Sequence, residues 1–143
     1  MRVSELGGVS EYGWNEFFER RNFNRMFDFE KLEVNQKIEE TNTILLNYIF
    51  SSNQIDKFVA DQLKRACISV ALNLAEGVGR MTEADKKHFY IMARGSVNEC
   101  VALLKILKAQ NWIPKEEFDM LYQEYESISK MLLGLIRSTR VCK

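Results

Sequence analysis

Apolar residues recur every three or four positions along most of this chain, and almost nothing interrupts them. Its 143 residues include one proline and seven glycines, three of those glycines before residue 14. So few turn formers require long helices with few connections. Four segments carry the 3.6-residue period. The first runs from about Phe29 to Ser51, with Leu32, Ile38, Leu45, Leu46 and Ile49 on one side and Glu30, Glu33, Lys37, Glu39 and Glu40 on the other. The second starts near Asn53 or Gln54 and passes through Ile55, Val59, Leu63, Ala66, Val70 and Leu74, until Gly77 and Gly79 are expected to let the chain turn. Thr82, with Asp85 three residues on, reads as the capping-box start of a third helix of about 28 residues, roughly 40 Å long. Its core line is Phe89, Met92, Ala93, Ser96, Cys100, Leu103, Leu104 and Leu107. Pro114 opens the fourth at its first helical position, followed by Glu116 and Glu117, where carboxylates complement the helix dipole. Phe118, Leu121, Tyr122, Tyr125, Ile128, Leu132, Leu135 and Ile136 are to face inward. No run alternates with period two, so no strand is expected. Connections of about three to six residues favour antiparallel neighbours, and the fold class is all-α: an up-down-up-down antiparallel four-helix bundle over residues 29–140.

Residues 1–28 differ. Glycines at 7, 8 and 13 mark a loose start, but Trp14, Phe17, Phe18, Phe23, Met26 and Phe27 follow closely. That many apolar side chains call for a covering surface. A short helix near residues 14–21, packed on the bundle or on a neighbouring subunit, is the expectation for this aromatic arm.

Twenty basic and twenty acidic residues cancel, so no global field attracts nucleic acid, membrane or an acidic partner. Residues 1–60 hold 7 Lys/Arg against 10 Asp/Glu and residues 61–143 hold 13 against 10, a mild shift toward positive charge in the second half. Cys67, Cys100 and Cys142 are odd in number, far apart and in no CxxC spacing, which predicts neither a disulfide framework nor a zinc site. A reducing cytoplasm fits that usage. The opening MRVSELGGVSEYGW lacks the apolar run of a signal peptide, and no stretch of eighteen uncharged apolar residues occurs, so no membrane association is expected.

One row of polar residues stands out in the second helix. At about 100° per residue, Arg65, Ser69, Asn73, Glu76 and Arg80 fall within an arc of roughly 80°. Nearly all the remaining circumference is apolar, which predicts burial on most sides. One bundle core cannot cover so much surface, so a second face with Ala66, Ala71 and Ala75 is expected to meet another subunit. The third helix adds Gly95, Glu99, Ala102 and Ile106 as a strip for the same contact. For the polar row, the leading reading is a hydrogen-bonded lock between helices, with carboxylates satisfying guanidinium groups such as Arg94. The alternative is a ligand or nucleic-acid surface built on Arg65, Arg80 and Arg94.

Catalytic and metal chemistry find little support. A carboxylate-bridged dimetal bundle needs two Glu-x-x-His motifs, whereas His88 is the single histidine and lies in Asp85-Lys86-Lys87-His88. An exposed or capping role suits it better, and an enzyme using His88 with Asp85 or Glu83 is the weakest hypothesis. Cys67 and Cys100 read as core residues. No phosphate-binding loop is present, because Gly77-Val78-Gly79 lacks the preceding strand and the third glycine. No cofactor is implied. For nucleic acid, Lys64, Arg65, Arg80, Lys86, Lys87 and Arg94 cluster on the second and third helices, and a ring of subunits would multiply that patch. A solvated helix face is the better account of any one of these lysines.

FEKLEVNQK at 29–37, QLKRACISVALNLAEG at 62–77, Arg80, MARGSVNEC at 92–100 and MLLGLIRS at 131–138 resemble the signature segments of the four-helix bundle proteins encoded in intervening sequences of bacterial 23S ribosomal RNA genes. The resemblance covers about residues 27–140, with Asn35 standing where an aromatic is expected. It implies a bundle that assembles as a ring-like homopentamer. It also implies kinship in fold with the accessory variability proteins of diversity-generating retroelements, which bind a reverse transcriptase and nucleic acid. Arg65, Ser69, Asn73, Glu76, Gly77, Arg80, Arg94, Gly95, Ser96 and Glu99 are the signature positions carried over. The resulting expectation is a cytoplasmic, non-enzymatic ring of bundles that associates with RNA or a ribonucleoprotein, a reverse-transcriptase-like protein being one possible partner. The rival is a protein-interaction scaffold that binds no nucleic acid.

Overall fold

The computed structural model describes residues 27–140. The expected arm helix near residues 14–21 and Cys142 lie outside them. A 3-10 turn at Asp28–Lys31 leads into four helices: α1, Glu33–Ser51; α2, Lys57–Val78; α3, Glu83–Ala109; and α4, Lys115–Ser138. Among the described residues there is no strand, and no helix is long and apolar enough to cross a membrane.

Local chemistry sets the helix starts. α2 begins later than the periodicity indicates because the Asp56 carboxylate accepts from the backbone N–H groups of Phe58 (2.9 Å) and Val59 (3.2 Å), satisfying two of the free amides of its first turn. The Thr82 hydroxyl caps α3 as expected, accepting from the Asp85 N–H at 3.2 Å. Pro114 is the N-cap residue of α4 and stands one position ahead of the helix proper.

Four polar contacts fix the register and close the bundle. Asn42 on α1 donates from Nδ2 to the Cys67 carbonyl on α2 (2.7 Å), and the Ser69 and Ser96 hydroxyls join α2 to α3 (2.9 Å). Arg94 on α3 donates from Nε to the Ser129 hydroxyl on α4 (3.1 Å). The Tyr125 hydroxyl on α4 returns to Asn42 Oδ1 on α1 (2.9 Å), completing the circuit. Between them lies a core that includes Ile38, Leu45, Leu63, Val70, Leu74, Val97, Leu104, Leu121, Ile128 and Leu132, all essentially sealed from solvent.

The structure corrects the expected core on α3 and on α4. On α3 the buried line is Tyr90, Ala93, Val97, Cys100, Leu104 and Leu107, with Ser96 at its edge, whereas Met92 is 43% exposed. Two residues of helix rotation separate Tyr90 from Met92, about 200°, so the two cannot share one face. Tyr122 on α4 is likewise 37% exposed.

Gly77 is not a turn. It is a buried residue inside α2, and a Cβ there would stand 2.8 Å from the Tyr90 ring, so it permits close approach of α2 and α3. Gly79 ends the helix with φ −78°, a right-handed conformation open to any residue. The one positive φ outside glycine, 57°, belongs to Asn111 after α3. There the Trp112 N–H bonds the Leu107 carbonyl (2.9 Å) and the Asn111 N–H bonds the Lys108 carbonyl (3.1 Å), a Schellman ending built on asparagine.

Candidate interaction surfaces

The polar row of α2 lies along its outer seam with α3. Arg65 donates to Gln62 Oε1 (3.0 Å) and to Glu99 Oε2 on α3 (3.3 Å), and Ser69 meets Ser96. Asn73 turns back on its own helix, donating to the Ser69 carbonyl (2.9 Å) and hydroxyl (3.0 Å). Glu76 pairs with Arg80, whose guanidinium also covers the Phe89 ring at 4.5 Å. Arg65, Ser69 and Arg80 therefore reach α3, whereas Asn73 bonds only within α2 and Glu76 reaches only Arg80, just past the end of α2.

The six cations predicted as a nucleic-acid surface do not form one patch. Lys64 pairs with Asp61 (3.3 Å) and lies 5.3 Å from the Phe50 ring centre. Arg65 and Arg80 hold the carboxylates just described. Lys86 donates to the Val78 carbonyl at 2.8 Å, so this ammonium group caps the C-terminus of α2. Lys87 forms no ion pair among the described residues. Arg94 points away from the other five toward α4, and its guanidinium is anchored by the Ser129 hydroxyl, not by the expected carboxylate. Around the seam Asp61, Glu76, Glu83, Asp85 and Glu99 stand among Lys64, Arg65, Arg80, Lys86 and Lys87, so five negative charges balance five positive ones.

Enclosure of α2 is also less complete in the protomer than its composition indicates. Ala66 is fully buried in the protomer's own core, and Ala71 and Ala75 are half-buried. What faces outward is large: Phe58 is 71%, Ile68 45% and Leu72 65% exposed. The strip on α3 is open as expected, with Gly95, Glu99 and Ala102 exposed and Ile106 44% exposed; Met92 extends it. With 100° per residue, Met92, Gly95, Glu99, Ala102 and Ile106 share one arc, and the Arg65–Glu99 pair sets that arc beside the outward face of α2. The two helices thus present a continuous surface that is apolar apart from its polar seam.

A second feature, which the sequence reading missed, is a groove of about 420 Å³ between α3 and α4. Val97, Val101 and Tyr125 line it, and Arg94, Asn98, Lys105, Tyr122, Glu126 and Lys130 surround it. It continues past Lys105 and Tyr122 into a depression bordered by Lys108, Phe118 and Asp119. Lys130 pairs with Glu126 (3.3 Å), while Arg94, Lys105 and Lys108 form no ion pair among the described residues. Periodicity alone could have placed Arg94, Val101, Lys105 and Lys108 on one flank of α3, but their partner face on α4 is a matter of tertiary register.

Reactive groups are muted. Cys67 and Cys100 are both buried, and desolvation pushes the Cys67 thiol up to about 11 and the Cys100 thiol further in the same direction. Such thiols stay protonated and poorly nucleophilic at neutral pH. His88 is exposed, its ring edge-on to Phe89 with centroids 5.4 Å apart. No cluster of three or more metal-ligating side chains lies among the described residues.

Comparison with known proteins adds a family and a fold. A family model described as 23S rRNA-intervening sequence protein matches residues 30–134. A crystal structure of a protein of unknown function from the S23 ribosomal protein family of Bacteroides thetaiotaomicron superposes with a TM-score of 0.68 at 22% identity, over 73% of this chain and 99% of that one. No curated protein matches the chain.

Proposed function

The chain belongs to the 23S rRNA-intervening sequence protein family, and from that premise we propose that it is a non-enzymatic helical module that assembles with copies of itself into a ring, five being the number its family resemblance implies. The observation that carries this reading is the outward surface of α2 and α3, where Phe58, Ile68, Leu72, Met92 and Ile106 are each 43% exposed or more. Burying one Leu or Phe side chain is worth roughly 1.5–3 kcal/mol, so a handful per contact can hold subunits together at micromolar concentration. The muted thiols and the exposed, solitary histidine support the non-enzymatic part. Sedimentation velocity at micromolar concentration is expected to show a species larger than a dimer, and a clean monomer would remove the proposal.

Association with RNA or a ribonucleoprotein in the cytoplasm is the second reading. It is favoured by the family to which the chain belongs and by the cations beside the α3/α4 groove that no carboxylate neutralises. The balanced seam counts against a site there, although its exposed ion pairs, at about 0–1 kcal/mol each, could be exchanged for phosphate contacts. Filter binding to RNA over a salt series decides the matter: retention that weakens steeply with salt is expected, and no retention at low salt would leave a scaffold without nucleic acid.

A further inference from the structure

We infer that the groove between α3 and α4 is a binding track for single-stranded nucleic acid, with Tyr122 as its stacking platform. The inference rests on the RNA reading above and gives it a location. Three observations combine. First, the groove and its continuation run along α3 from Arg94 to Lys108, fourteen residues, or about 21 Å at 1.5 Å per residue. At about 3.4 Å of rise per stacked nucleotide, that is the length of roughly six.

Second, the charge is one-sided. Arg94, Lys105, Lys108 and Lys130 border the track against Glu126 and Asp119, an excess of two positive charges in a protein of zero net charge. Arg94 is prepared for this use: Ser129 fixes its Nε and leaves the terminal nitrogens of a planar fork to meet an anion. Third, Tyr122 is 37% exposed at the midpoint, and its ring is backed by Phe118, 5.8 Å away and tilted 33°. Cations alone would serve an acidic protein segment equally well. An aromatic ring between cations on an apolar floor favours bases with phosphates over carboxylate side chains, because every base has a stackable face.

The test is fluorescence anisotropy of a labelled single-stranded oligouridylate of about twelve nucleotides with the full chain, over a salt series. Lys105→Glu combined with Lys130→Glu is expected to weaken binding at least tenfold and to make the slope of log K against log salt shallower by about 1.4, two contacts at about 0.7 each. Tyr122→Ala should cost about 5- to 100-fold, and Tyr122→Trp should restore binding. Unchanged thermal unfolding of each variant excludes loss of fold as the cause. Losses produced instead by Lys64→Glu with Lys87→Glu, with the groove variants binding normally, would overturn the groove and keep the RNA reading. Equal affinity for a duplex, or displacement of the oligonucleotide by polyglutamate as readily as by unlabelled RNA, would also overturn it. Absence of any binding by the unaltered protein at low salt would overturn both the groove and the RNA reading.

Discussion

Gly77 shows how one missing side chain sets the spacing of two helices. A Cβ added there would stand 2.8 and 2.9 Å from Tyr90 ring carbons and 3.0 Å from Phe89 Cβ, which is part of the α3 framework and cannot swing aside. Gly77→Ala is therefore expected to lower stability by about 1–3 kcal/mol through overpacking, even after the roughly 1 kcal/mol that alanine gains in helix propensity. Gly134→Ala, where nothing lies within 4 Å, should keep that gain and raise stability by about 0.5–1 kcal/mol. Urea unfolding of the two variants beside the parent checks both signs. The buried titratable groups make a second prediction at this scale. Desolvation raises the proton affinity of Cys67, Cys100 and Tyr125 in the folded protein. Since the unfolded thiol titrates near 9.0 and folded Cys67 near about 11, the unfolded chain releases its proton first as pH rises. This contribution to stability is complete below about pH 9 and declines between about 9 and 11, at about 1.4 kcal/mol per pH unit for each such group. The urea midpoint should fall over that interval, and Cys67→Ala should make the fall shallower.

At the scale of elements, legibility followed the strength of the local signal. All four helices could be read from their periodicity, and Thr82 could be read as a cap because a hydroxyl before an amphipathic run has one obvious task. The α2 start was misplaced because Ser52, Asn53 and Asp56 are all capping residues, and only the fold selects Asp56, whose carboxylate accepts two N–H groups. The end of α3 falls where a helix of about 28 residues from Thr82 places it, but how the chain turns there was illegible for the opposite reason. Its left-handed residue is Asn111, where glycine would have announced itself. That turn also carries a tertiary bond, from the Tyr48 hydroxyl to the Trp112 carbonyl at 2.6 Å, and so it positions the start of α4 against α1. Asn111→Gly is expected to be neutral or slightly stabilising, whereas Asn111→Ala, forced into the left-handed region, should cost about 1–2 kcal/mol. Differential scanning calorimetry of the pair isolates the backbone effect, because neither substitution adds a contact.

For the whole molecule, the candidate surfaces were legible only in part. The composition of α2 signalled that its apolar surface exceeds what one protomer can cover, but it gave the outward role to alanines, and Ala66 lies in the core while Ile68 and Leu72 lie outside. Helix rotation decides that, and it is fixed by the contacts of Asn42 with Cys67 and of Ser69 with Ser96, which pair residues far apart in sequence. The α3/α4 groove was illegible because it needs the α4 register as well. The same geometry yields a test of assembly that does not depend on knowing any partner. In an isolated protomer Leu72 is 65% exposed, and replacing an exposed residue away from special features usually changes stability by less than about 0.5 kcal/mol. If copies cover it, each subunit loses about 1.5–3 kcal/mol of apolar burial and must also bury a charge when leucine becomes lysine. Leu72→Lys is therefore expected to convert the assembly to monomer at micromolar concentration. It should also abolish the rise of melting temperature with protein concentration that mass action gives an oligomer. A parent protein whose melting temperature is already independent of concentration, with Leu72→Lys indistinguishable from it, would show that α2 meets only water.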